Sequence, residues 1–384
     1  MMLDASKAFD RVHYVKLFNV LSDKGVCPLF IRLLIIMYTS QSLSVKWGNN
    51  NSYKFKVSNG VKQGGIISPI LFTIYMDKLL IKLKESGLGC HIGRTFMGAF
   101  GYADDVAIIA PTLTSLKLML KLCDKFGEDY NVLFNVDKYQ LLYYSSCCDN
   151  FSGIFYKNVF IKAEEAAMHL GHPLNVSCKD TAILQNINSF IISCNSILTL
   201  FKSAHTQVKY KLFKTFCMSM YGCVLWDLSS KTIQQFFKQW RKCIRRLFNI
   251  SPRTHSKYLP LICEDLPIDV QIYKRFIKFF DNVINSDNEC VTLCGKLALN
   301  GSNSSVCNNL SLISHVFKCN RYEIGSRKLS QNKYISNFMG EYYSLRELQV
   351  VGSIRDLLYI RDIKCTQFNE NELNHLLWFM CTNE

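Results

Sequence analysis

The 384-residue chain carries 45 Lys and Arg against 30 Asp and Glu, a formal net charge of +15 and a pI near 9.0. At 49% hydrophobic and 20% charged residues it can build a packed core, which excludes disorder as the default. Its length suits two or three domains, its charge favours a polyanionic partner, and 17 cysteines without a secretory leader read as reduced intracellular thiols.

The first ten residues, Met1 to Asp10, have no run-in. Only three residues precede Asp4 on the strand expected there, so the reading frame is expected to open inside a domain. Residues Val12 to Leu21 and Pro28 to Tyr38 space apolar side chains at helical intervals, punctuated by Gly25 and Pro28. Within the second stretch, the run Leu33 to Met37 is too short to span a bilayer. Residues 43–47 and 53–57 then alternate apolar and polar around Gly48-Asn49-Asn50-Asn51, the pattern of a hairpin. In the segment Asn59 to Phe72, Ser68-Pro69 predicts a helix start, with Ser as the cap and Pro at the first helical position. The Gln63-Gly64-Gly65 before it lets backbone approach a ligand closely, although an ordinary Gly-rich loop would read the same.

Next, Phe100 to Ala110 places β-favouring residues on both sides of Asp104-Asp105, which predicts a hairpin with both carboxylates at its turn. Adjacent carboxylates repel, and a protein that keeps them together usually supplies a cation; Asp is also a common turn residue. A helix is expected from Thr114 to Phe126, and short strands over Phe134–Val136 and Leu141–Tyr144 around Asp137-Lys138. Composition shifts from about Asn150, so a domain boundary is expected between 150 and 180.

Thr181 to Leu247 is helix-like, and residues 198–260 hold twelve Lys or Arg against the single acid Asp227. Ile233, Phe236, Phe237, Trp240, Ile244 and Leu247 follow helical spacing, while Lys238, Arg241, Arg245 and Arg246 fall largely on other faces. A charge run is most often a solvated face, but such faces mix signs, and this one favours phosphate contact. Beyond Pro267 the pattern weakens. The spacing of Cys290, Cys294, His315 and Cys319 is too irregular to argue for zinc.

Three stretches in this order carry a resemblance: Asp4-Ala5-Ser6-Lys7-Ala8-Phe9-Asp10, Gly60 to Phe72, and Tyr102-Ala103-Asp104-Asp105. They resemble successive palm motifs of reverse transcriptases, in the wording of LINE-type (non-LTR) retrotransposons, with group II intron enzymes further off. His169-Leu170-Gly171-His172 is similar to the primer-contacting segment after the palm, and Tyr221-Gly222, Trp226 and Leu266-Pro267-Ile268 to the region downstream. The resemblance covers residues 1–175 closely and fades by 270.

It implies an α+β fold: a palm (1–175) with helices on one face of an antiparallel sheet, a basic helical thumb (176–270) and a C-terminal tail (271–384). It also implies RNA-directed DNA polymerase activity, the addition of deoxynucleotides to a DNA primer on an RNA template. Asp4, Asp104 and Asp105 would be catalytic and would bind two Mg²⁺ ions, with Mn²⁺ as the alternative, because hard oxygens suit such ions. Ala5, Phe9, Gln63 and Gly64 would shape the nucleotide pocket, with the Ala5 carbonyl completing one metal shell. Phe9, five residues after Asp4, would stand under the sugar and exclude a 2′-hydroxyl. Lys138 is similar to the lysine that protonates leaving pyrophosphate. Lys238, Arg241, Arg245 and Arg246 would grip nucleic acid from the thumb.

The family places a fingers region and often an endonuclease ahead of Asp4. This sequence is therefore expected to be part of a larger element that binds nucleic acid but polymerises poorly alone. A non-catalytic remnant and a splicing-type maturase are the rival readings. The expected setting is the nucleus, the cytoplasm or both, with no membrane; the oligomeric state stays open.

Overall fold

The computed structural model describes residues 1–144, 151–176, 180–263, 265–302 and 304–324. The chain falls into two compact units, Met1–Cys178 and Lys179–Glu384.

The first unit begins with β1 (Met2–Ser6), α1 (Tyr14–Asp23) and α2 (Pro28–Thr39). Four two-residue strands follow: β2 (Ser42–Leu43), β3 (Lys46–Trp47), β4 (Asn50–Asn51) and β5 (Phe55–Lys56). They pair β2 with β5 and β3 with β4, so residues 42–56 form one irregular hairpin. Then come α3 (Ser68–Glu85), the small pair β6 (His91–Ile92) and β7 (Thr95–Phe96), and the hairpin β8 (Ala99–Tyr102) and β9 (Asp105–Ile108). Next are α4 (Leu113–Tyr130) and β10 (Leu133–Phe134). The main sheet has the order β10-β1-β9-β8, all antiparallel.

Alternation along β1 decides which face of this sheet meets the helices. Leu3 and Ala5 are buried, whereas Met2, Asp4 and Ser6 are partly exposed. Side chains on a strand point to opposite faces in turn. Leu3 pairs with Val106, and both join a core with Leu71, Phe72 and Leu79 of α3 and Met119 and Phe126 of α4. Asp4 pairs with Asp105 on the other face. Burying the apolar face fixes the register, because a slip of one residue would carry the carboxylates into the core.

Helix α4 starts with Thr112 accepting from the Ser115 amide and ends at Asn131 with φ +54°, a left-handed cap. At α3 the expected cap is corrected: Ile67 occupies the N-cap position and Ser68 is the first helical residue, its Oγ buried without a hydrogen-bond partner. The unit closes with β11 (Leu141–Leu142), β12 (Gly153–Tyr156) and β13 (Val159–Glu164) in one sheet, then the hairpin β14 (Ala166–His169) and β15 (His172–Asn175). Leu170 and Gly171 both have positive φ at that turn, the geometry of the tightest hairpins.

The second unit is helical: α5 (Thr181–Leu200), α6 (Thr206–Cys217), α7 (Lys231–Leu247), α8 (Leu259–Cys263), α9 (Ile268–Ile284), α10 (Glu289–Leu299), α11 (Ser305–Val316) and α12 (Arg321–Ile324). Within α7, Ile233, Phe236, Phe237, Trp240, Cys243, Ile244 and Leu247 are buried in one stripe, and Ser230 caps the helix through the Ile233 amide. Helix α5 is long and apolar enough to cross a membrane by composition alone. Ile183, Ile187, Phe190, Cys194 and Ile197, three and four apart, instead pack into the same core as α7. A cluster separate from that of the first unit holds this core together. The weakly patterned region after Pro267 forms α9 to α12. Of the expected tail, residues 325–384 lie outside the described residues.

Candidate active site

Two neighbouring strands and one turn assemble the acidic centre. Asp4 lies on β1 directly opposite Asp105 on β9, while Asp104 occupies the two-residue turn joining β8 to β9. Residues paired in this way have Cβ atoms about 4.5–5.5 Å apart, and like charges there repel. Asp105 feels that crowding: burial first, then the Asp104 carboxylate, and last the Asp4 carboxylate hold its pKa above the ordinary carboxylate value, with His169 acting in the opposite sense. Ala103, the other turn residue, has φ +53°, a conformation that costs an alanine about 1–2 kcal/mol. The turn that presents Asp104 is therefore strained.

A third segment closes on Asp4. The Asn135 amide donates to the Asp4 carbonyl at 3.2 Å. That bond anchors the 3-10 turn Val136–Lys138 and delivers Lys138, whose Nζ donates to Asp4 Oδ2 at 2.9 Å. Both side chains are partly exposed, and a pair in such a setting contributes about 0–1 kcal/mol. Asp4, Asp105, Lys138, Gln140 and His169 line a pocket of about 200 Å³ with Met2 and Met168. Gln140 and Met2 have no sequence motif to flag them; the backbone ladder Met2–Gln140 brings them here.

The second motif is tied to the first by backbone. The Gly60 amide donates to the Val12 carbonyl and the Val61 amide to the Phe9 carbonyl, both at 2.8 Å. A Cβ on Gly60 would sit 2.8 Å from the Asp10 carbonyl oxygen, and its φ is +90°. Only glycine lets the segments meet there. Gln63 Nε2 then donates to Asp10 Oδ1 at 3.0 Å, and Gly64, φ +77°, turns the chain toward α3. Phe9 is half-buried and stacks on Phe72 with ring centroids 4.7 Å apart and planes 14° from parallel. The Ala5 side chain is buried, so only its backbone remains to meet a ligand.

Three carboxylates on two strands and a turn suit a hard divalent cation in the chemistry of their oxygens. Among the described residues no three His, Cys, Asp or Glu side chains are already gathered in coordinating geometry. Asp4 is engaged by Lys138.

In the second unit the four cations of α7 differ. Lys238 and Arg246 are exposed, Arg246 donating to Asn195 Oδ1 at 2.8 Å, and Arg241 is half-buried. Arg245 donates through Nε and Nη2 to the Thr254 carbonyl, at 3.1 and 2.8 Å, and through Nη2 to Ser256 Oγ at 3.0 Å. It clamps the loop after α7.

Residues 1–210 match the sequence profile of the family described as reverse transcriptase (RNA-dependent DNA polymerase). This chain belongs to that family. The reverse-transcriptase chain is 32% identical over 136 residues to the retrovirus-related Pol polyprotein of the type-2 retrotransposable element R2DM of Drosophila melanogaster. It is also 32% identical over 120 residues to the R2 element Pol polyprotein of Nasonia vitripennis. The matches cover 35% and 31% of this chain and 13% and 12% of those relatives' own length. Among solved structures, telomerase from Candida albicans aligns over 77% of this chain and 50% of that one, with 11% identity and a TM-score of 0.35.

Proposed function

We propose that this chain carries the palm of an RNA-directed DNA polymerase of the non-LTR retrotransposon type. It would add deoxynucleotides to a primer 3′-end as directed by an RNA template. The observation that carries the reading is the pairing of Asp4 with Asp105 on the helix-free face of the sheet, with Asp104 in the adjoining turn.

Nucleotidyl transfer depends on positioning and on neutralising charge more than on covalent help. Asp4, Asp104 and Asp105 are the residues to hold divalent cations, Mg²⁺ or Mn²⁺. When bound, such ions polarise the attacking 3′-oxygen and neutralise the leaving pyrophosphate. Burial and the neighbouring Asp104 and Asp4 carboxylates raise the Asp105 pKa, and a bound cation would offset that crowding. Lys138 Nζ, already at the site, holds a proton that it can give to pyrophosphate once Asp4 releases it. Phe9, propped by Phe72, supports a role as the wall that excludes a ribose 2′-hydroxyl. Gln63, braced by Asp10, would line the pocket beside Gly64.

Primer extension on an RNA template with Mg²⁺ and deoxynucleotides tests this, in a longer polypeptide that joins a fingers region to this sequence and extends primers in its unaltered form. Asp104→Asn with Asp105→Asn is expected to abolish it while leaving duplex binding intact. Phe9→Ala is expected to admit ribonucleotides. Extension unchanged in the double variant would sink the assignment.

A further inference from the structure

Between Asp23 and Asp77 the chain has no acidic residue, yet it holds Lys24, Arg32, Lys46, Lys54, Lys56 and Lys62. Three of these cations sit on the hairpin of residues 42–56, which is exposed throughout. Three aromatic rings share it: Trp47 is 85% exposed, Tyr53 97% and Phe55 49%. Such exposure of rings is costly in water and asks for an explanation.

The hairpin's own geometry puts them there. Leu43 pairs with Phe55, and Lys46 with Asn51. Between those pairs lie two residues on one strand, 44 and 45, and three on the other, 52 to 54. The extra residue is a bulge, held by the Val45 amide donating to Ser52 Oγ at 2.8 Å and the Ser52 amide donating to the Val45 carbonyl at 2.9 Å. Bulges re-aim side chains, and this one coincides with the exposed Tyr53. Gly48, φ +58°, turns the tip beside Trp47.

We infer that this hairpin is a stacking surface for single-stranded nucleic acid. Lys46, Lys54 and Lys56, with no acidic residue on the hairpin, select a polyanion, and the exposed rings of Trp47 and Tyr53 select unstacked bases, which a duplex does not offer. Rings alone would suit a protein partner equally, but the three lysines among them do not, since lysine is depleted where proteins bury surface against one another. The hairpin's base also reaches the site: Val57, bonded to the Gln41 carbonyl at 3.1 Å, lies three residues before Gly60. This binding needs no metal and no catalysis, so it stands or falls apart from the polymerase reading.

The test uses the full chain and a fluorescently labelled oligouridylate of about 20 nucleotides, longer than the roughly 4–16 that stacking grooves cover. Trp47→Ala with Tyr53→Ala is expected to weaken binding about tenfold or more without altering its salt dependence. Trp47→Phe with Tyr53→Phe should restore most of it. Changing Lys46, Lys54 and Lys56 to Gln should instead flatten the slope of log affinity against log salt by up to about 2, near 0.7 per charge. The positions are exposed, and circular dichroism with a thermal midpoint confirms folding of each variant. Unchanged affinity in the alanine pair would overturn the inference. So would an equal loss for a duplex of the same length, or a change in self-association in place of RNA binding.

Discussion

At the scale of single residues, the acidic centre costs the fold stability. The folded-state pKa of Asp105 lies above its ordinary 3.8, chiefly through burial and Asp104. The unfolded chain therefore gives up this proton more readily, and the fold loses stability as pH rises from the unfolded value through the raised one. Asp105→Asn should make the protein more stable near pH 7, by about 0.5 kcal/mol on the scale of cross-strand like charges. The gain should vanish at pH values where both states are protonated, as denaturant titrations at several pH values would show. A variant less stable than wild type at pH 7 would count against the repulsion. On α7, Arg245→Gln should cost about 1–2 kcal/mol through the lost Thr254 and Ser256 bonds. Lys238→Gln, exposed on the same helix, should leave stability within about 0.5 kcal/mol and lower only affinity for nucleic acid. Paired stability and binding measurements separate the two.

At the scale of elements, the contact that joins the first two motifs is the fragile one. Gly60→Ala would place a methyl group against the Asp10 backbone at a φ of +90°, and is expected to cost about 2 kcal/mol or more. Urea denaturation would register it, and a neutral outcome would mean that the Phe9–Val12 segment yields easily. How far the elements could be read in advance depended on how local their causes are. The β8–β9 hairpin was legible because Phe100-Gly101-Tyr102 and Val106-Ala107-Ile108 flank a turn within a few residues. The amphipathic α7 was legible from its ring and aliphatic spacing. That Asp4 meets Asp104 and Asp105 was legible only through the resemblance, since the register that pairs Asp4 with Asp105 across a hundred residues is set by burial of Leu3 and Val106. The helices after Pro267 escaped notice for a different reason. Helix α9 starts without a side-chain cap, and α10 carries Gly295 where a Cβ would lie 2.7 Å from Ile284. Glycine there reads as a breaker but serves close packing. Arg245 looked like one more surface cation, because nothing in the spacing foretells the return of Thr254.

At the scale of the whole molecule, each unit has its own core. Calorimetry is expected to resolve two unfolding transitions, since cooperativity follows shared burial. Trp240, 2% exposed in the second core, gives the probe: Trp240→Ala should cost about 3–5 kcal/mol in that unit and leave the other transition in place. A single transition lowered as a whole would show that the two fold as one. The first unit should also be the slower to fold, because β1 cannot pair with β9 until a loop of about a hundred residues has closed.

The alternation along β1 sets the kind of genetic change the protein can survive. Losing one residue from Met2–Ser6 would exchange the faces of everything beyond it, turning carboxylates inward and aliphatic groups out. Adding several residues at Gly48-Asn49, where a hairpin tip is already in solvent, would displace nothing in the sheet. Judged by folding alone, such a lineage is expected to tolerate added length at that tip and hardly any change in the length of its first strand. A library of single-residue deletions and short insertions, scored for soluble folded protein, would make that contrast visible.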